Sequence, residues 1–368
     1  MALFFEAKKT VGKGGSDLGD TGAFAETMDW AAGFDAIIDV RSPAEFAEDR
    51  MPGAVNMPVL SDAERVRVGT IYAQQSPFAA RKIGAALVAR NAAAHIENSL
   101  MAQGGDWQPL VYCWRGGQRS GSFATILRQI GWRVEVLDGG YRSYRRRVVE
   151  MLYDRPLTQR LIRLDGNTGS AKTDLLARLA ARGVQVVDLE GLAAHRGSIL
   201  GEMEGPQPPQ KAFESALAMA LSRVDPARPL LLEAESSRIG KLRLPPSLWA
   251  AMRAAPRLVV AVPAPARAAY LADVYGTYAA DLPRLITRLD HLRPLAGHEV
   301  VDGWIALARQ GRLQELSAGL IERHYDPAYA RARRSDATER LAEFRSDSLT
   351  VEAREALADR LARWIASA

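Results

Sequence analysis

At 368 residues the chain exceeds what one hydrophobic core usually organises, so two domains are expected. Hydrophobic residues make up 48% and charged residues 25%, an ordinary globular balance, and without a run of about 18 apolar residues no transmembrane helix is expected. The net charge of +5 permits a nucleic-acid partner without demanding one, and a single cysteine excludes an internal disulfide framework and fits the cytoplasm.

Residues 1–30 read as a loose leader with glycine and lysine, not as a signal peptide. The first clear element is FDAIIDVRSPAEF, a short strand through Ile37, Ile38 and Val40 that leaves through a turn into a short helix at Ala44. MPGAVNMPV (51–59) gives a second short strand. Residues 77–103 read as one long helix, with apolar positions at Ile83, Leu87, Ile96 and Leu100. A buried strand then ends in YCWRGGQRSGS (112–122), followed by a helix over 120–130 and a strand over 133–137. This alternation predicts an α/β domain with a parallel sheet.

The YCWRGGQRS loop carries the only cysteine, Cys113. A thiol at a strand end, facing backbone amides and a helix N-terminus, makes an anion cradle with a nucleophile at its base. The spacing is C-x5-R-S, closed by Arg119 and Ser120, with Arg115, Gly116 and Gly117 within the ring. That spacing also satisfies the signature of cysteine phosphatases, so the loop alone leaves the chemistry open. A phosphatase would usually carry His where Tyr112 stands, and no general acid stands out. The ring is wide enough for a tetrahedral, phosphate-sized anion, and Arg119 can bind two of its oxygens.

RSYRRRVVEML (142–152) is a basic helix, and Arg142, Arg145, Arg146 and Arg147 suit a nucleic-acid backbone or a solvated face. After a linker at Asp154-Arg155-Pro156, a strand through Leu161, Ile162 and Leu164 leads to GNTGSAKT (166–173) and a helix over 172–181. This is a phosphate-binding loop in its strand-to-helix setting: Gly166, Gly169 and Ser170 wrap a diphosphate, Lys172 reaches its oxygens, and Thr173 can hold a magnesium ion. The residue before the lysine is Ala171 where glycine is expected; if that position needs positive φ, alanine costs about 1 kcal/mol.

Further on, a strand is expected to end in Asp188 and Glu190, with His195 and Arg196 in the following turn. A buried strand runs into Glu233 and Glu235, with Arg238 beyond; these acids either orient water around a metal or pair with Arg238 or Lys241. A strand is predicted over 257–262, and 264–368 reads as mostly helical, with HYDPAY (324–329) between helices. The five histidines are dispersed, and with one cysteine no metal cluster is expected by spacing.

DVRSPAEF, MPGAVNMP, the Cys113 loop and LDGGY at 137–141 together resemble a rhodanese domain over about the first 145 residues. With GNTGSAKT, DLEGLAAHRGS, QPPQKAFE and EAESSRIG following in order, the chain resembles the bacterial tRNA 2-selenouridine synthase family from about residue 35 onward. The resemblance implies a rhodanese-like parallel-sheet domain over 31–152. It implies a P-loop NTPase-like α/β domain with a helical C-terminal part over 153–368. It further implies replacement of sulfur by selenium in wobble 2-thiouridine of tRNA, with selenophosphate and geranyl diphosphate as substrates and an S-geranyl intermediate. No resident cofactor is firmly implied. On that reading Cys113 and Arg119, with Arg115, Gly116, Gly117 and Ser120, hold selenophosphate; the 166–173 loop takes the diphosphate; and Arg142, Arg145, Arg146 and Arg147 face tRNA. His195, Arg196, Glu233, Glu235 and Arg238 form a further second-domain site. A selenophosphate supply system is the implied partner, and the oligomeric state stays open. The alternative is a cysteine-dependent phosphatase or sulfurtransferase fused to a phosphate-loop kinase-like module.

Overall fold

Two parallel four-stranded sheets carry the described fold, with a small hairpin beside the second. The computed structural model describes residues 32–197, 201, 203, 205–234, 236–279, 281–334 and 336–367; the leader assigned to 1–30 and Glu235 lie outside the described residues.

The first sheet comprises β1 (Ala36–Asp39), β2 (Val55–Asn56), β3 (Pro109–Tyr112) and β4 (Glu135–Val136), in the order β2-β1-β3-β4. All its pairings are parallel. β3 is buried along its whole length, the pattern of a strand covered on both faces. Its helices are α1 (Pro43–Glu48), α2 (Asp62–Gln74), α3 (Pro77–His95), α4 (Gln118–Ile130) and α5 (Gly140–Val149). Ser42 and Glu45 form a capping box at the start of α1, which fixes where the DVR turn becomes helix.

Two details differ from the sequence reading. The long helix stops at His95, and a π-type turn, Ile96–Leu100, follows it. α2 was not expected, because it buries no residue and shows no apolar stripe to read.

The second sheet comprises β5 (Leu161–Asp165), β6 (Leu230–Glu233), β9 (Arg257–Ala261) and β10 (Arg340–Arg345), in the order β10-β9-β5-β6, again parallel. β7 (Arg238–Ile239) and β8 (Leu242–Arg243) form the hairpin. α6 (Lys172–Ala181), α7 (Leu189–Leu192), α8 (Gln210–Ser222) and α9 (Pro246–Ala254) lie between the strands in sequence. A helical layer follows: α10 (Ala264–Ala279), α11 (Leu282–Asp290), α12 (Arg293–Ala296), α13 (His298–Arg309), α14 (Leu313–Leu320) and α15 (Asp326–Arg334). β10 then returns to the sheet edge, and α16 (Val351–Ser367) packs on α6. Successive strands leave β5 on opposite sides, so the sheet changes direction there. The carboxyl end of such a strand is where ligands bind in open α/β sheets.

The strand expected to end at Glu190 is absent among the described residues. Val186 makes a single bridge to Leu231, and Asp188 caps α7 by accepting from the Gly191 amide at 2.8 Å. Asp188 competes for the backbone and turns the chain into a helix. HYDPAY is not a connection either: the π-type turn Ile321–Tyr325 runs directly into α15. β10 lay hidden in a tail read as helical, because its RLAEFR sequence shows one fully buried position, Phe344.

The two domains share a core in which Tyr144 and Val148 of α5 join Phe213 and Leu217 of α8. A buried polar knot fastens the same interface. Asp49 accepts from the Tyr141 hydroxyl at 2.7 Å and from Ser215 Oγ at 3.0 Å. Glu214 accepts from Tyr153 at 2.6 Å and pairs with Arg145.

Candidate active sites

The first site is built on β3. The strand delivers Cys113, 4% exposed, to its carboxyl end, and α4 starts five residues later at Gln118. Ser120 Oγ donates to Cys113 Sγ at 3.1 Å. Burial pushes the thiol up. The Ser120 hydroxyl and the amides of Ser120, Arg115 and Gly117 outweigh it, so the thiol titrates below its ordinary range. These groups favour negative charge on the sulfur.

The LDGGY segment braces this loop from outside. The Tyr141 amide donates to the Cys113 carbonyl at 2.8 Å, and the Arg142 amide to the Trp114 carbonyl at 3.1 Å. Gly140 has φ +58°, and a Cβ there would collide with the Cys113 carbonyl and the Gly116 amide. Only glycine permits that approach. Beneath it, Arg41 is 1% exposed, pairs with Asp39 and lies 4.0 Å from the Tyr141 ring centroid. The DVR motif thus supports the loop and does not enter the cradle.

At the rim, Arg119 forms a fork with Glu45, at 2.7 and 3.3 Å, and Arg65 reaches the same carboxylate at 3.0 Å. Burial pushes Glu45 up, but Arg119 leads the groups that hold it below the usual carboxylate range. Arg115 and Gly117 are exposed, and Gly116 takes φ +67°. Glu45 was not singled out from sequence, since 74 residues separate it from Arg119.

The arginine cluster of α5 divides in two. Arg145 pairs with Glu214 and lies 3.9 Å from Asp49, and Arg147 pairs with Glu150 at 2.9 Å. Arg142 and Arg146 are exposed.

The second site lies at the carboxyl end of β5. Gly169 has φ +83°, with Leu271 and the Arg267 carbonyl packed against the place a Cβ would occupy. Ala171 stands in the left-handed region at φ 61°, ψ 29°. Lys172 Nζ donates to the Gly166 carbonyl at 2.9 Å, and Thr173 Oγ1 to Glu190 at 2.9 Å. Ser170 Oγ is buried without a hydrogen-bond partner.

Glu233, at the end of β6, is 1% exposed, and neither of its carboxylate oxygens has a hydrogen bond of standard geometry. Burial first, and the Glu190 carboxylate second, push it up to about 8, against the lowering effect of Lys172 and Thr173. Pairing of Glu233 with Arg238 or Lys241, one of the two sequence readings, is not found. Arg238 lies exposed on the hairpin. His195 is buried, donating its amide to the Glu190 carbonyl at 3.0 Å, and Arg196 lines the cavity described next. Among the described residues no group of three or more His, Cys, Asp or Glu side chains is arranged as a metal cluster.

A cavity of about 550 Å³ opens over this loop. Residues 168–173 form its polar end, with Glu190 and Arg196. Tyr270, Leu271, Val274, Tyr325 and Tyr329 supply an apolar and aromatic wall. The sequence reading missed this wall. HYDPAY was the available signal, and its placement between helices concealed that Tyr325 and Tyr329 face the loop.

The fold and its two sites define a rhodanese-like domain joined to a phosphate-loop α/β domain. Residues 23–147 match the rhodanese-like domain model, and 159–291 match the tRNA 2-selenouridine synthase AAA domain model. The tRNA 2-selenouridine synthase of Hahella chejuensis is 36% identical over 327 residues, 80% of this chain and 84% of its own length. Those of Shewanella halifaxensis and Bdellovibrio bacteriovorus are 38% and 36% identical over 242 and 247 residues; this chain spans 65% and 64% of their lengths, and each match takes in 65% of this chain. The chain belongs to the tRNA 2-selenouridine synthase family.

Proposed function

We propose that this protein replaces the sulfur of a wobble 2-thiouridine in tRNA by selenium, in two steps at two sites. The observation that carries the reading is the shared cavity of the phosphate loop and the aromatic wall. A diphosphate head with an apolar tail fits both ends of it, which favours geranyl diphosphate.

In the first step the thiocarbonyl sulfur attacks C1 of geranyl diphosphate. The carbon–oxygen bond breaks, diphosphate leaves, and the base loses its N3 proton. Lys172, the loop amides and the positive end of α6 would stabilise the departing charge. A magnesium ion could be held beside them. Thr173, Glu190 and Glu233 would supply hard oxygen donors to it, and its charge would offset that of the buried Glu233. The ion would add further charge neutralisation at the diphosphate.

In the second step the selenium of selenophosphate attacks C2 and geranyl thiol leaves. Water then cleaves the selenium–phosphorus bond, giving 2-selenouridine and phosphate. The Cys113 cradle, rimmed by Arg115, Arg119 and Ser120, suits the phosphate-like donor. The competing phosphatase reading needs a protonated acid for its leaving group. Glu45, the carboxylate at this loop, is held ionised by Arg119 and Arg65, which disfavours that reading.

The test is reconstitution. Purified protein, 2-thiouridine tRNA and geranyl diphosphate should yield the S-geranyl nucleoside, and added selenophosphate should convert it to 2-selenouridine. Absence of both products by nucleoside mass spectrometry defeats the proposal.

A further inference from the structure

A second cavity, of about 600 Å³, also borders the phosphate loop, at Asn167. Its floor is the outward face of β9, where Arg257, Val259 and Ala261 alternate with the buried Leu258 and Val260. Among the described residues five arginines line it, against the carboxylates of Glu343 and Asp347. They come from four separate elements: β9, β10, α10 and α15. Asp165 holds two of them in place, Arg257 at 3.2 Å and Arg333 at 3.3 Å. Asp326 holds the buried Arg267 at 2.7 Å. Arg257 Nε and Asn167 Oδ1 are buried without hydrogen-bond partners.

The two cavities meet along α15. Tyr329 lines the first, and Arg333, one turn further on, lines the second, its guanidinium 5.7 Å from the Tyr329 ring centroid. Lys172 lies 5.7 Å from the same ring. A polyanion in the arginine-lined cleft would therefore pass one unit beside Tyr329 and the diphosphate.

We propose that this cleft docks the sugar–phosphate backbone of the tRNA, and that the reacting base enters the phosphate-loop cavity past Tyr329. The proposal rests on the tRNA reading above and locates the surface that holds it. Arg340 and Arg345 are 58% and 81% exposed on the edge strand β10, where a bulge after Arg340 sets them opposite Arg257 and Ala261 of β9, roughly 13 Å apart along the strand. Their guanidinium groups converge on one carboxylate, that of Glu343, so one phosphate can bridge this pair, and Arg333 of α15 offers a separate cation to the next. Each is paired with Glu343 at 2.7 Å. Exposed pairs of this kind are weak, so phosphate oxygens can displace the carboxylate. On α5, Arg145 and Arg147 are likewise held in ion pairs, while Arg142 and Arg146 are exposed.

The experiment measures binding of a synthetic anticodon stem-loop RNA bearing 2-thiouridine to the full chain across a salt series. Arg340→Gln with Arg345→Gln should weaken binding on the order of tenfold at moderate salt. The slope of log affinity against log salt should flatten by roughly 1, about 0.9 for each phosphate that is no longer neutralised. Glu343→Gln should act in the opposite direction and tighten binding, an outcome that misfolding cannot imitate. Binding of inorganic diphosphate should be unchanged in all three proteins. If the unaltered chain does not bind this RNA, the tRNA reading itself fails. If it binds and the variants match it in affinity and slope, the cleft does not hold the RNA and only the present proposal fails.

Discussion

The Ser120 hydroxyl points its proton at the Cys113 sulfur across 3.1 Å, so the first turn of α4 tunes the reactive group at the end of β3. Burial alone would make this thiol a poor anion; the hydroxyl and three loop amides reverse that. Ser120→Ala removes the side-chain donor and leaves the amides. A hydrogen bond to a charged acceptor contributes about 1.5–3 kcal/mol, so thiolate alkylation by iodoacetamide at neutral pH should slow roughly tenfold or more. The pH midpoint of alkylation should move upward. An unchanged midpoint would mean that the amides alone set the thiol.

The two sites should separate genetically. Cys113→Ala is expected to abolish 2-selenouridine while leaving the S-geranyl nucleoside to accumulate. Lys172→Ala removes charge stabilisation from the diphosphate, and loss of one such group typically costs on the order of 10²–10³ in rate. It should therefore suppress the S-geranyl nucleoside itself. Nucleoside mass spectrometry on reactions of each variant reads both outcomes. Loss of geranylation in the cysteine variant would show that the sites do not act independently.

Ala171 carries a cost that its backbone makes visible. At φ 61° its methyl crowds the following carbonyl, and relief of that strain by glycine amounts to roughly 1–2 kcal/mol. Glycine costs about 0.5–1 kcal/mol in extra unfolded-state entropy. The strain term is larger, so Ala171→Gly should raise stability by about 1 kcal/mol or less in urea unfolding. Diphosphate affinity should be equal or better, since the loop keeps its conformation. A large loss of affinity would show that the methyl itself is needed.

What the sequence revealed follows from how each site is built. The cradle and the phosphate loop are contiguous, 113–120 and 166–173, with strand before and helix after, so local spacing carried both. Ala171 could be noticed as a departure, but only its backbone angle shows that the position takes positive φ. Glu45, Tyr270 and Arg257 reach their sites from distant segments, and no local pattern marks those roles; Tyr329 lay within HYDPAY, whose place on a helix facing the loop the sequence did not show. Asp188 and Glu190 were placed on a strand because VVDL resembles one. Asp188 instead caps a helical turn that aims Glu190 at Thr173. The α5 arginines looked uniform in sequence, and packing against α8 set Arg145 apart by pairing it with Glu214.

Glu233 should leave a signature in stability against pH. Its folded value is pushed up to about 8 from an ordinary 4.5, chiefly by burial. Below about 4.5 the group is protonated in both folded and unfolded chains, so it has no effect on stability. Between about 4.5 and 8 the unfolded chain loses the proton and the folded chain keeps it. The folded state is therefore penalised increasingly as pH rises, by at most about 1.4 kcal/mol per pH unit. Above about 8 both forms are ionised and the penalty stops growing. Glu233→Gln mimics the protonated carboxyl and carries no such penalty. The variant should be nearly as stable as the parent at pH 4.5 and more stable by a few kcal/mol at pH 8, as measured by urea unfolding across the range. Magnesium with diphosphate should pull the proton off the parent at neutral pH, giving proton release in calorimetry in buffers of different ionisation heat, and the variant should show less of it. A stability difference independent of pH would show that Glu233 is not held protonated and that its buried carboxylate is compensated in another way.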